Sequence, residues 1–113
     1  MIRIYHNPRC RKSREALELV KDKVEEMEII EYLKEPPTVE ELKQVIEQLG
    51  ISPLDLIRKN ETIFKEKFKG KSFSDAEWTQ IMVNHPKLIE RPIVINGKKA
   101  RVGRPPEKVL EIL

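Results

Sequence analysis

The chain has 113 residues, 22 basic and 19 acidic, for a net charge of +3, with 39% hydrophobic and 36% charged positions. That length suits one domain whose core needs no staples, since area scaling buries about two-thirds of the surface of such a chain. The mild charge and 5% aromatic content exclude an argument for nucleic-acid binding, no apolar run approaches the ~18 residues of a membrane span, and the single Cys10 excludes an internal disulfide and a cysteine-rich zinc site.

Taken in chain order, Ile2–Tyr5 reads as a short buried strand ending at the turn signal Asn7-Pro8. Residues 11–23 follow as a helix, with Ala16, Leu17, Val20 and Val24 at helical spacing. Met27–Tyr32 is a second strand, closed by Pro36-Pro37. Strand, helix and strand in this span make a βαβ unit with parallel strands. Thr38 and Glu41 predict a capping box for a helix with Leu42, Val45, Ile46 and Leu49 inward and Gly50 as its stop. Pro53 opens a shorter helix through Leu54, Leu56 and Ile57, and another short one is expected over 61–68. Ser74 and Glu77 repeat the capping box for a helix carrying Trp78, Ile81 and Met82, which stops before Pro86. Asn96-Gly97 between Pro92–Ile95 and Lys99–Val102 predicts a hairpin. A final helix from Pro105-Pro106 is expected to turn Val109, Leu110 and Leu113 inward. Strands at both ends and helices between them give an α/β fold with one sheet.

The chemistry concentrates in one loop. Cys10 lies between the first strand and the first helix, where unpaired backbone N–H groups and the helix dipole favour thiolate over thiol. Arg9, Arg11, Lys12 and Arg14 add positive field, His6 lies four residues upstream, and Ser13 at Cys+3 can hydrogen-bond a thiolate. Cys-x-x-Ser is a redox Cys-x-x-Cys without its resolving thiol, so redox chemistry here needs an external thiol. The bland alternative is a small core hydrophobe. A Cys-x5-Arg phosphate loop is excluded because Ala16 occupies the required place, and no Gly-rich phosphate loop exists. With only His6 and His85 besides Cys10, no metal is expected.

Two Arg-Pro steps, Arg91-Pro92 and Arg104-Pro105, bracket the hairpin. With Asn96-Gly97 as the loop, Ile95 opposes Lys98, Ile93 opposes Ala100 and Arg91 opposes Val102. Arg91 and Arg104 then emerge at one end, as an oxyanion clamp or as ordinary surface arginines. Pro92 is a candidate cis-proline. On pattern alone, Arg58 is only the end of a helix.

The chain resembles the glutaredoxin-linked arsenate reductase family (ArsC type), nearest to its YfgD-like branch. The likeness rests on Tyr5-His6-Asn7-Pro8-Arg9-Cys10 with Ser13-Arg14, on Leu56-Ile57-Arg58-Lys59, on His85–Val94 and on Gly103-Arg104-Pro105-Pro106 before Val109–Ile112. It covers nearly the whole chain. It implies one thioredoxin-like domain with a mixed four-stranded sheet and a helical insertion at about 33–88. It implies reduction of arsenate to arsenite with glutathione and glutaredoxin, no bound cofactor, a monomer and a cytoplasmic location. Met1–Tyr5 runs directly into His6-Asn7-Pro8 without a secretory leader pattern, in keeping with that location. By resemblance, Cys10 is the nucleophile, His6 and Ser13 keep it ionised, and Arg58, Arg91 and Arg104 hold the oxyanion. Arg11 and Lys12 depart from the small residues that characterised reductases of the family tend to carry there, which leaves the substrate open.

Two alternatives have different consequences. Relatives of the Spx type dock on RNA polymerase, but those regulators typically carry Cys-x-x-Cys, where Ser13 stands here. A monothiol reductase acting on glutathione mixed disulfides would share Cys10 and not need arsenate.

Overall fold

The apolar run Ile2–Tyr5 forms β1, and it takes the centre of the sheet because strands pair on both its sides. The computed structural model describes all residues, 1–113. Strand β2 (Met27–Ile30) runs parallel to β1, with Ile2 across from Met27 and Ile4 across from Ile29. Strands β3 (Ile93–Asn96) and β4 (Lys99–Val102) complete an antiparallel ladder, giving the mixed order β2-β1-β3-β4. This is the expected mixed four-stranded α/β sheet. β2 is shorter than its expected span because the chain turns at Glu31, whose carbonyl accepts from the N–H groups of Lys34 and Glu35.

The chain divides into two units, residues 1–35 with 91–113 and residues 36–90. In the first, helix α1 (Arg11–Lys23) buries Ala16, Leu17 and Val20 against Ile2, Ile4 and Val94 of the sheet and Val109 and Ile112 of the C-terminal segment. Each such fully buried aliphatic side chain stabilises the fold by roughly 1.5–3 kcal/mol. The C-terminal segment Pro106–Ile112 is a 3₁₀ helix. At three residues per turn its inward positions are Pro106, Val109 and Ile112. The expected inward Leu110 and Leu113 are instead exposed, because an α-helical period was applied to a 3₁₀ segment.

The hairpin turn lies one residue later than expected, which shifts every cross-strand pairing by two residues. Asn96 pairs with Lys99, Ile95 with Ala100, Val94 with Arg101 and Ile93 with Val102. The turn is Gly97-Lys98, with Gly97 at φ +62° and no other residue type at positive φ anywhere in the chain. Glycine at the first central position alone is the type II′ pattern, whereas a loop of Asn96-Gly97 needs positive φ at both. Asn96 stays in the strand, where its side-chain amide donates to the Ile112 carbonyl.

The second unit is helical. Thr38 and Glu41 exchange hydrogen bonds as a capping box for α2 (Val39–Leu49), and Gly50 ends it in the left-handed conformation. A 3₁₀ turn covers Pro53–Leu56, a shorter and tighter form of the expected helix. Helix α3 (Thr62–Lys67) and helix α4 (Asp75–Asn84) follow, the latter capped by Ser74 and Glu77. All three phenylalanines and the single tryptophan pack together here, Phe73 lying edge-on to Trp78 at 4.8 Å. No helix of the chain is long and apolar enough to cross a membrane.

Candidate active site

The loop after β1 is built by Asn7. Its carbonyl accepts from the Cys10 N–H at 3.0 Å, its side-chain oxygen accepts from the Arg9 N–H at 3.0 Å, and its own N–H donates to Ser13 Oγ at 3.0 Å. The sequence marks Asn7-Pro8 as a turn; the three bonds show Asn7 as the residue that fixes the loop against the helix start. An Asx residue before proline is the signal that could have found it.

Cys10 occupies the N-cap of α1 and is buried, with 7% of its surface exposed. Burial pushes its thiol up, but the Ser13 N–H, the Arg91 guanidinium, the Lys12 N–H and the Arg104 guanidinium together outweigh it, and the thiol is held below its ordinary value. The backbone N–H groups of Ser13 and Lys12, in the first turn of the helix, face the sulfur and favour its thiolate.

Ser13 contributes differently from expectation. Its hydroxyl lies 2.6 Å from His6 Nδ1 and accepts from Asn7, so its backbone N–H is what favours the thiolate. His6 is buried, and that burial lowers its pKa, with Lys21 and Arg14 adding to the effect and Glu31 opposing it. A neutral imidazole offers the sulfur no positive charge. His6 instead anchors Ser13, and with it the first turn of α1. Arg14 spends its guanidinium on the Pro8 carbonyl at 3.0 Å, and Arg11 pairs with Glu15 at 2.9 Å.

Arg91 and Arg104 meet at the same end of the sheet as the Cys10 loop, because Tyr5 at the end of β1 lies across from Ile93 at the start of β3. With the observed register, Arg104 continues across from Arg91, one step beyond the pair Pro92 and Gly103, whose N–H donates to the Pro92 carbonyl at 2.8 Å. The expected convergence holds, and the corrected register brings the two residues opposite each other. Arg104 Nε donates to the Arg91 carbonyl at 2.9 Å, and its Nη2 stands 3.8 Å from Cys10 Sγ. Both Arg-Pro peptide bonds, Arg91-Pro92 and Arg104-Pro105, are cis. Gly103 makes this approach possible, because a Cβ there would lie 2.9 Å from the Pro92 ring and 3.2 Å from Val109.

Arg58 belongs to the second unit. Its backbone N–H donates to Leu88, while Ile57 bridges Ile89. Its guanidinium lies 3.4 Å from Glu61 and 3.8 Å from Glu90. Glu61 stands three residues beyond Arg58, whereas Glu90 reaches it only through the pairing of two loops. No group of three or more His, Cys, Asp or Glu side chains gathers in a metal-holding arrangement.

Chemically, the first unit places one thiolate-prone sulfur beside two guanidinium groups. That arrangement suits a nucleophile acting on an oxyanion.

The profile of the ArsC family matches residues 5–112. The chain is 46% identical to the uncharacterized protein YfgD of Escherichia coli, across 99% of this chain and 96% of that one. It is 45% identical to an arsenate reductase of Haemophilus influenzae, across 97% of each chain. The solved structure of an arsenate reductase from Vibrio cholerae superposes with a TM-score of 0.94 at 48% identity, covering 99% of this chain and 97% of that one.

Proposed function

The chain belongs to the ArsC family, and from that premise we propose that it reduces arsenate to arsenite, with Cys10 as nucleophile, glutathione as co-substrate and glutaredoxin as the regenerating partner. The net change takes one arsenate and two thiols to one arsenite, one disulfide and one water. The Cys10 thiolate forms a bond to arsenic, and one arsenate oxygen leaves as water. Glutathione displaces a second oxygen in the same way. A thiol of glutaredoxin then takes the glutathione sulfur, and the electron pair of that sulfur–arsenic bond reduces arsenic from the pentavalent to the trivalent state. Hydrolysis of the remaining bond to Cys10 releases arsenite.

Lowering the thiol pKa alone is a weak source of rate. Each unit of lowering above ambient pH raises the thiolate fraction about tenfold, but nucleophilicity falls with a Brønsted slope of about 0.4–0.5, so only about threefold remains. Positioning the oxyanion and stabilising the departing oxygen must supply the larger share. Arg91 and Arg104 are assigned that work, with Arg58 as a third ligand. His6 and Ser13 are assigned the positioning of the helix start.

The observation that carries this reading is the Arg104 guanidinium, 3.8 Å from the Cys10 sulfur and braced on the Arg91 carbonyl. The test is NADPH oxidation coupled through glutathione, glutathione reductase and glutaredoxin, with arsenate present or omitted. Turnover is expected to require arsenate and to vanish in Cys10→Ser. Turnover that ignores arsenate, as a monothiol reductase would show, or that survives Cys10→Ser, removes the reading.

A further inference from the structure

Four cations surround Cys10 in sequence, and the structure separates them into two classes. Arg14 is tied to the Pro8 carbonyl, which fixes its guanidinium without offsetting its charge, and Arg11 is paired with Glu15. Arg9 and Lys12 are exposed and hold no ion pair. They stand one residue before and two residues after the sulfur, so they flank it along the chain. The Arg9 backbone is pinned by Asn7, and Lys12 sits in the first turn of α1, where side chains lean toward the helix N-terminus.

Arg91 and Arg104 already provide charge for an oxyanion. Two further uncompensated cations beside the same sulfur suit a second anion that must approach it. We propose that Arg9 and Lys12 form a carboxylate subsite for the thiol co-reactant, selecting an acidic thiol such as glutathione over a neutral thiol of equal reactivity. This rests on the reading of Cys10 as a redox nucleophile. Lysine and arginine at exposed positions act mainly as point charges here, so the selection is electrostatic and salt-sensitive.

The test avoids arsenate. The Cys10 thiolate attacks an added disulfide, forming one mixed disulfide and releasing one thiolate, and the rate is read by mass spectrometry with glutathione disulfide and with the neutral bis(2-hydroxyethyl) disulfide. The ratio of the two rates cancels changes in Cys10 ionisation. Arg9→Gln and Lys12→Gln are each expected to lower the ratio by about 3- to 5-fold at low ionic strength, and the double variant by about 10-fold or more. The effect should shrink toward unity near 0.5 M salt. Lys23→Gln, an equal loss of charge at the far end of α1, is expected to leave the ratio unchanged.

A ratio within twofold of the parent in the double variant overturns the proposal, as does an equal fall with both disulfides or an equal fall in Lys23→Gln. The outcome is separable from the arsenate reading. A ratio that falls while arsenate turnover is absent keeps the subsite and removes the reductase; turnover with an unchanged ratio does the reverse.

Discussion

Arg104 and Arg58 resemble each other in sequence as single arginines near turns, yet the two units of the molecule treat them oppositely. Arg104 is braced by a carbonyl and places Nη2 3.8 Å from the sulfur. Arg58 stands between Glu61 and Glu90, which offset its charge before any substrate arrives. A guanidinium held by carboxylates must exchange partners before it takes a substrate anion. Arg104 is thus the arginine set against the sulfur within the sheet unit, and Arg58 the one committed to carboxylates within the helical unit.

The sharpest way to break this contrast is Arg104→Gln. Turnover of arsenate should fall about 10²–10³-fold, the loss typical of removing one donor at a developing oxyanion. The same variant should raise the pH at which Cys10 is alkylated by iodoacetamide, because losing a cation disfavours the thiolate; reactivity at pH 7 then falls. In the parent chain the midpoint should lie below the value of about 8.5 for a free thiol. An unchanged alkylation profile in Arg104→Gln would show that the guanidinium does not act on the sulfur.

Gly103→Ala tests the seat under Arg104. A Cβ 2.9 Å from a proline ring cannot be relieved by a flexible side chain, so stability measured by urea should fall by about 1–3 kcal/mol. Arg58→Gln should cost turnover only about tenfold, and a loss equal to that of Arg104→Gln would erase the distinction between the units. Smallest of all, Thr38→Ala removes one half of the α2 capping box and should lower stability by about 1 kcal/mol without altering the alkylation profile of Cys10.

What the sequence made legible was local. The boundaries of α1, both capping boxes and the Gly50 stop depend on contacts within a few residues, and each is observed. The hairpin turn lies one residue beyond the Asn96-Gly97 reading, moving each pairing by two, because Asn-Gly fits two turn types, and the Asn96–Ile112 bond that decides between them joins residues far apart. The C-terminal segment was given the wrong inward face because periods of 3 and 3.6 diverge within one turn, and apolar residues stand at both sets of positions. At the site, Cys10 and its helix mouth were readable as a motif. The commitment of the Ser13 hydroxyl to His6 and of Arg58 to Glu90 was not, because buried pairings depend on which chain segments end up adjacent.

The outermost strand β2 has a consequence of its own. It carries the exposed Glu28 beside the exposed Ile29, with the exposed Glu25 and Glu26 just before the strand and Glu31 just beyond. An open strand with an uncovered isoleucine would ordinarily invite ladder growth from a neighbouring molecule. Here, two such edges brought together at neutral pH would set carboxylates against carboxylates, so crowding the protein does not by itself zip one sheet onto the next.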